Sequence, residues 1–167
     1  MYDVIDVKPE HMPAIKALFI RALALEAIPQ WSDKEDEYPL CALNEDMGHA
    51  LIILDGSGNA LAYAAYHEEL EELKDYPWML SGKPFYFHRL LVDRNVRGKG
   101  IAKSMIAALM TRAKELGGKC YRFVVYPENE RAISLYERIG LAQLGEFESP
   151  WAEYGDGGVI ILYEGVL

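Results

Sequence analysis

Cysteine is nearly absent from this chain of 167 residues: Cys41 and Cys120 stand alone, far apart and in no metal-ligand or redox spacing. That scarcity argues against a disulfide-stapled scaffold and against a metal site, and it predicts two reduced, structural thiols in a cytosolic protein. No uncharged apolar run approaches the length of a membrane span, and no basic-then-apolar leader opens the chain. The expectation is therefore a cytoplasmic protein with no membrane partner. Positive charge is scarce as well. Seventeen Lys and Arg face 26 Asp and Glu, a net charge of -9, which argues against a nucleic-acid partner, because such proteins need a positive footprint to displace counterions. Repeats, low-complexity tracts and linkers are missing too. With 51% hydrophobic and 26% charged residues, the length suits one globular domain over 1–167 with one substantial core.

More than half of the positive charge lies in one segment. Between Arg94 and Arg138 ten lysines and arginines meet four glutamates, a net of +6, which leaves -15 for the rest of a chain whose total is -9. A basic segment inside an acidic protein points to a local anionic ligand. For Arg112, Lys114 and Lys119 a solvated helix face is the better reading.

Hydrophobic periodicity supplies the elements. Tyr2 to Val7 alternates like a strand, and Pro9 suits the first turn of a helix with Ala14, Ile15, Leu18, Phe19, Ala22 and Leu23 on one face, ending before Pro29. Residues 30 to 48 are polar and acidic, with room for a short helical turn. Two apolar runs, Ala50 to Leu54 and Ala60 to His67, flank Asp55-Gly56-Ser57-Gly58-Asn59 and predict a hairpin. Glu68 to Lys83 reads as a loop or short helix. Phe85 to Val92 is strand-prone, and a helix follows that buries Ile101, Met105, Ala108, Leu109, Ala113 and Leu116 before Gly117-Gly118. Cys120 to Tyr126 predicts a strand, Asn129 to Ile139 a helix closed by Gly140, and Leu141 to Phe147 with Val159 to Val166 a last strand pair joined by a Gly- and Pro-containing loop. This order implies a mixed α/β sheet with helices on its faces.

Where the strand ending in Val92 hands over to the helix, the chain reads Arg97-Gly98-Lys99-Gly100-Ile101-Ala102-Lys103. Helix amino termini leave N–H groups unpaired and carry the positive end of the helix dipole, so this turn is a natural anion site. A Walker loop is excluded, because Lys103-Ser104 follows Ala102 and position 97 is arginine. A dinucleotide fingerprint is excluded as well, lacking its third glycine and the acid about twenty residues on.

What remains is R-x-x-G-x-A over 97 to 102, and further on Asn129, Ala132, Leu135-Tyr136 and Gly140-Leu141 match N-x-x-A-x-x-L-Y-x-x-x-G-F. In these two motifs the chain resembles the GCN5-related N-acetyltransferase (GNAT) superfamily, with Ala102 in place of the commoner glycine and Leu141 in place of phenylalanine. The match is specific over residues 85 to 141. It implies a mostly antiparallel sheet of six to seven strands with helices on both faces, strands four and five splayed to admit the pantetheine arm. It further implies acetyl-CoA as co-substrate, a small-molecule or peptide amine as acceptor, and a homodimer as the association frequent in the family.

By resemblance, the backbone of Leu90, Leu91 and Val92 holds the pantetheine and thioester, and one amide there polarises the acetyl carbonyl. The backbone from Arg97 through Gly98, Lys99, Gly100, Ile101 and Ala102 to Lys103 wraps the pyrophosphate, with Lys99 or Lys103 reaching its oxygens. Asn129 and Tyr136, two helical turns apart, project from nearly one face, with Tyr136 as the general acid for the departing thiolate. Several family members with protein substrates carry a glutamate where this chain has Val124, so the basic carboxylate is absent or lies elsewhere. His88 is the first candidate, and Tyr86, Glu128 and a water chain compete with it. The acidic runs Asp33 to Glu37 and Glu68 to Asp75 either attract a cationic amine or are merely solvated. Trp31, Trp78 and Trp151 either wall a pocket or pin their loops.

Overall fold

The computed structural model describes residues 2–151 and 158–167. Pro9 opens a short 3-10 turn, Pro9–His11, and helix α1 runs Met12–Leu25. The proline in the first turn of α1 is thus Pro13, not Pro9, a place where a missing N–H costs nothing. Ile15, Leu18, Phe19 and Ala22 form its buried stripe at the spacing one helix face requires. Strand β1 is only Ile5–Asp6, not the whole run from Tyr2 to Val7, and it pairs antiparallel with β2 (Ala50–Leu54). The Val7 amide still donates to the Ala50 carbonyl at 3.0 Å. Strand β3 (Ala60–His67) completes the expected hairpin. Asp55 builds its turn, accepting from the amides of Ser57 at 2.8 Å and Asn59 at 2.9 Å.

Strand β4 spans Pro84–Val92, α2 Ile101–Glu115, β5 Cys120–Val125, α3 Glu130–Arg138, β6 Ala142–Glu148 and β7 Val159–Val166. Short 3-10 turns at Leu40–Ala42 and Glu71–Leu73 lie in the two segments where a short helical turn, and a loop or short helix, are expected. Most of the loop expected between β6 and β7, residues 152–157, lies outside the described residues. Strand order is β1-β2-β3-β4-β5-β7-β6, a mixed sheet as expected. The pairs β1/β2, β2/β3, β5/β7 and β6/β7 are antiparallel, and β4/β5 is parallel. The β4/β5 register covers only Pro84–Tyr86 against Cys120–Arg122, the short pairing expected of splayed strands.

The chain divides into two compact units, 1–66 with 88–111 and 67–87 with 112–167. In the first, Ile15, Leu18 and Phe19 of α1 pack with Ile52, Tyr63 and Leu91. In the second, Leu73, Tyr86, Ile160 and Leu162 form the core, with Trp78, Val124, Phe147 and Trp151 partly buried around them. Each large apolar side chain so buried contributes about 1.5–3 kcal/mol.

Helix α2 buries Ile101, Met105, Ile106, Leu109 and Ala113, whereas Ala108 is half-buried and Leu116 is 43% exposed. The helix closes before Leu116 can face inward, because the Gly118 amide bonds the Ala113 carbonyl at 2.8 Å and the Gly117 amide bonds Lys114 at 2.9 Å. Cys120 is buried, but Cys41 is exposed, so only one of the two thiols is structural in the expected sense. Among the described residues no helix is long and apolar enough to cross a membrane.

Candidate functional site

In the first unit, β4 ends at Val92 and the chain makes a 3-10 turn, Arg94–Val96, capped by Asp93, whose carboxylate accepts from the Asn95 amide at 2.9 Å. Gly98 and Gly100 then adopt φ of +78° and +81°. A Cβ at either would meet nothing within 4 Å, so conformation and not crowding calls for glycine here, and the space beside the turn is open. The first helical bond of α2 runs from the Ser104 amide to the Gly100 carbonyl at 3.0 Å. The amides of Ile101, Ala102 and Lys103 precede it and have no acceptor within the helix. Lys99 and Lys103 are exposed, Ala102 is half-buried, and Ile101 is buried as the anchor of the turn. With the positive end of the α2 dipole, this arrangement suits a diphosphate.

Arg97 stands differently. Its guanidinium donates to the Val92 carbonyl at 3.2 Å and forms a forked pair with Glu26, Nη1 to Oε2 at 3.0 Å and Nη2 to Oε1. Its amide donates to the Arg94 carbonyl at 3.4 Å. The protein itself therefore engages both the side chain and the amide of Arg97.

Along β4, Leu91 is buried, while His88, Leu90 and Val92 are half-buried. Between them Arg89 is buried and holds φ of +53°, a left-handed conformation that is rare for a non-glycine residue within a strand. Its guanidinium binds Asp46 through Nε at 2.7 Å and through Nη2. The Tyr63 hydroxyl donates to the same carboxylate at 2.6 Å. Burial foremost, and then the Asp46 charge, push the Tyr63 phenol far above its usual range. A carboxylate oxygen of Asp46 also lies within 4.8 Å of a ring nitrogen of His88. Sequence reasoning missed both Arg89 and Asp46. The one signal was an arginine inside the apolar run of β4.

In the second unit, Asn129 caps α3. Its side-chain oxygen accepts from the Ala132 amide at 3.2 Å, and its φ and ψ of -87° and 62° lie outside the helix. Asn129 therefore stands one step outside α3, with its carbonyl accepting from the Ile133 amide at 3.1 Å, and of the two motif residues Tyr136 alone is helical. Tyr136 is buried, with its ring 4.3 Å from that of Phe123 and 5.3 Å from that of Tyr163. Burial, then the neighbouring Tyr163, push its phenol well above the ordinary range, so it keeps its proton across neutral pH. The Gly140 turn holds this end of α3, the Leu141 amide bonding the Tyr136 carbonyl at 3.1 Å.

The same unit holds a second buried pair of opposite charges. Arg122 lies over the rings of Trp78 at 4.4 Å and Tyr86 at 5.5 Å and donates to the Tyr86 hydroxyl at 2.8 Å. Glu164 accepts the amides of Met79 at 2.9 Å and Leu80 at 3.0 Å. Trp78 also donates to the Leu73 carbonyl at 2.8 Å, so this tryptophan pins its loop. Trp31 does likewise, stacked on Phe19 at 5.2 Å. Of the acidic runs, Glu35 and Glu37 pair with Lys16 and Lys34, and Glu68 and Glu71 with Lys83 and Lys74.

Residues 16–141 match the model of the acetyltransferase (GNAT) family. The chain is 35% identical over 65 residues to the spermine/spermidine N(1)-acetyltransferase of Bacillus subtilis strain 168, covering 38% of this chain and 42% of that protein. It is also 32% identical over 71 residues to the β-glucuronidase of Sus scrofa, covering 41% of this chain. The chain spans about a tenth, 11%, of the length of that protein. Its fold is similar to that of a GNAT-family acetyltransferase from Streptococcus agalactiae, with a TM-score of 0.76 and 23% identity over 99% of this chain and 95% of the other. The phosphinothricin acetyltransferase of Sinorhizobium meliloti, solved in complex with AcCoA, has a TM-score of 0.71 at 16% identity over 99% and 88%.

Proposed function

The chain belongs to the acetyltransferase (GNAT) family, and on that premise we propose that it moves an acetyl group from acetyl-CoA directly to a primary amine, without a covalent enzyme intermediate. The observation that carries this reading is the turn after β4. Gly98 and Gly100 at positive φ open onto free space, and the first amides of α2 have no helical acceptor. The two carboxylates beside this turn are balanced, Asp93 by Arg21 at 2.7 Å and Glu26 by Arg97, so neither opposes an incoming anion. Gly98 through Lys103 would hold the diphosphate, with Lys99 and Lys103 as its counter-charges, and Leu90 to Val92 would line the thioester tail. Acetyl-CoA, when bound, supplies an activated acyl group whose bond to sulfur breaks as the bond to nitrogen forms.

The remaining work is proton transfer. Tyr136 keeps its hydroxyl proton at neutral pH and would give it to the departing sulfur. His88 would take the proton that the amine loses on acylation, and the acceptor must reach it as the neutral amine. Asn129 offers its side-chain NH2, because its oxygen caps α3. The likeness to a spermine/spermidine acetyltransferase puts polyamines first among acceptors to try, followed by amino acids, aminoglycosides and peptides.

A second reading, a catalytically silent acyl-CoA sensor, is favoured by Val124. It is a half-buried apolar residue at the position where the resemblance would supply a basic carboxylate. A thiol-release screen with acetyl-CoA over that amine panel separates the two. The enzyme reading expects release with some amine and a loss of about a hundredfold in Tyr136→Phe. Intact CoA binding with no release on any amine would leave the sensor.

A further inference from the structure

We propose that Glu26 is a positioning residue for the donor's diphosphate, acting through Arg97. The proposal rests on reading the turn 98–103 as the diphosphate site. Glu26 is the first residue beyond α1, with its amide on the Ala22 carbonyl and its φ of -155° already extended. Its carboxylate takes the Arg97 guanidinium in a fork, while the same guanidinium bonds the Val92 carbonyl at 3.2 Å. One side chain thereby ties the end of β4, the residue before Gly98 and the end of α1 together. One helical turn and a half back, Arg21 makes the complementary contact, Nε at 3.0 Å and Nη2 at 2.7 Å on Asp93, with a further bond to the Ala60 carbonyl at 3.1 Å. Arg94 reaches the Leu25 carbonyl at 3.5 Å.

The charges along the two segments run in opposite order. From α1 they are positive at 21 and negative at 26, and from the turn they are negative at 93 and positive at 97. A slip of the turn along α1 by one pair brings Arg97 to Arg21 in one direction or Asp93 to Glu26 in the other, like against like, so the pairs favour this register over its neighbours. The Glu26 and Arg97 side chains remain 18% and 24% exposed, and partly exposed pairs add little to global stability. What such a pair does secure is the placement of the backbone it joins. Here that backbone leads straight into the two left-handed glycines.

The rival expectation has the opposite sign. If Glu26 acted only as a charge, removing it would free Arg97 for the phosphates and tighten CoA binding. Calorimetry on the full chain at physiological ionic strength, with CoA and with phosphate-free pantetheine as probes, decides between them. Glu26→Ala is expected to weaken CoA about tenfold, the order set by having to order a loop on binding, and to leave pantetheine unchanged. Glu26→Gln keeps an acceptor for Arg97 and is expected to lose less than Glu26→Ala. Unchanged or tighter CoA binding in both variants would overturn the proposal, and so would an equal loss for both probes. A wild-type protein that prefers CoA no more than pantetheine would overturn the diphosphate reading itself, and the proposal with it.

Discussion

Each unit buries one arginine beside one carboxylate, and the two pairs are built differently. Arg89 and Asp46 bond directly, at 2.7 Å through Nε, and Tyr63 joins them at 2.6 Å. Arg122 and Glu164 approach only to 3.8 Å, and the facing atoms, Arg122 Nε and Glu164 Oε2, have no hydrogen-bond partner among the described residues. The first is a true ion pair, holding a residue at φ of +53° in the strand that carries His88 and Leu90 to Val92. The second is two separate devices. Glu164 fastens the amides of Met79 and Leu80, and Arg122 lies between the rings of Trp78 and Tyr86. A buried charge can thus be kept by its counter-charge or by backbone and aromatic dipoles, and the two arrangements should fail differently.

The sharpest break is Asp46→Ala, which strands the Arg89 guanidinium without its counter-charge. It should cost about 3–5 kcal/mol in urea denaturation, and a loss under about 1 kcal/mol would mean that the pair is not a unit. Glu164→Gln removes charge from an acceptor of two amides but not from a direct ion pair, so the loss should be smaller, about 2 kcal/mol. Equal losses in the two variants would erase the distinction. The smallest effect belongs to Tyr163→Phe. Its hydroxyl is buried with no hydrogen-bond partner among the described residues, so the variant should be more stable by about 1 kcal/mol, and a destabilised variant would contradict that reading.

Acid and alkali probe the same groups. Tyr63 and Tyr136 hold their protons more tightly folded than unfolded. The stability they contribute is full below about pH 10, the ordinary tyrosine value, and falls as pH rises above it toward their folded values. Asp93 runs the other way. Burial opposes its ionised form, but the Asn95 amide and then Arg21 outweigh it and hold the carboxyl below its usual range. Its contribution is present above about pH 4 and is lost as pH falls below that. Melting temperature against pH should therefore drop at both ends, and Tyr63→Phe should soften the alkaline drop. An alkaline limb of unchanged steepness in that variant would contradict the assignment.

Much of this architecture is legible in local patterns. The β2/β3 hairpin, α2, and the glycine turn are each announced by neighbouring residues, because turn chemistry and helix periodicity act over a few positions. The long-range partners are not. Arg97 looks like a phosphate ligand until Glu26, 71 residues away, is found on it, and Arg89 looks like an intruder in a strand until Asp46 is found 43 residues away. Asn129 was legible as a motif residue, yet its place one step outside α3 depends on cap geometry that spacing alone does not reveal. Leu116 fits the apolar stripe of α2 but is exposed, because the glycine cap ends the helix first.

The measurement closest to the central claim is calorimetric titration of CoA into the wild type and Gly100→Glu. The residue sits at φ of +81° with open space beside it, so a glutamate there strains the turn and sets a negative charge where the diphosphate is expected. The account predicts one CoA bound per chain in the wild type and affinity at least about tenfold weaker in the variant, since a penalty of about 1.4 kcal/mol suffices for that factor. Equal affinity in the two proteins would contradict it.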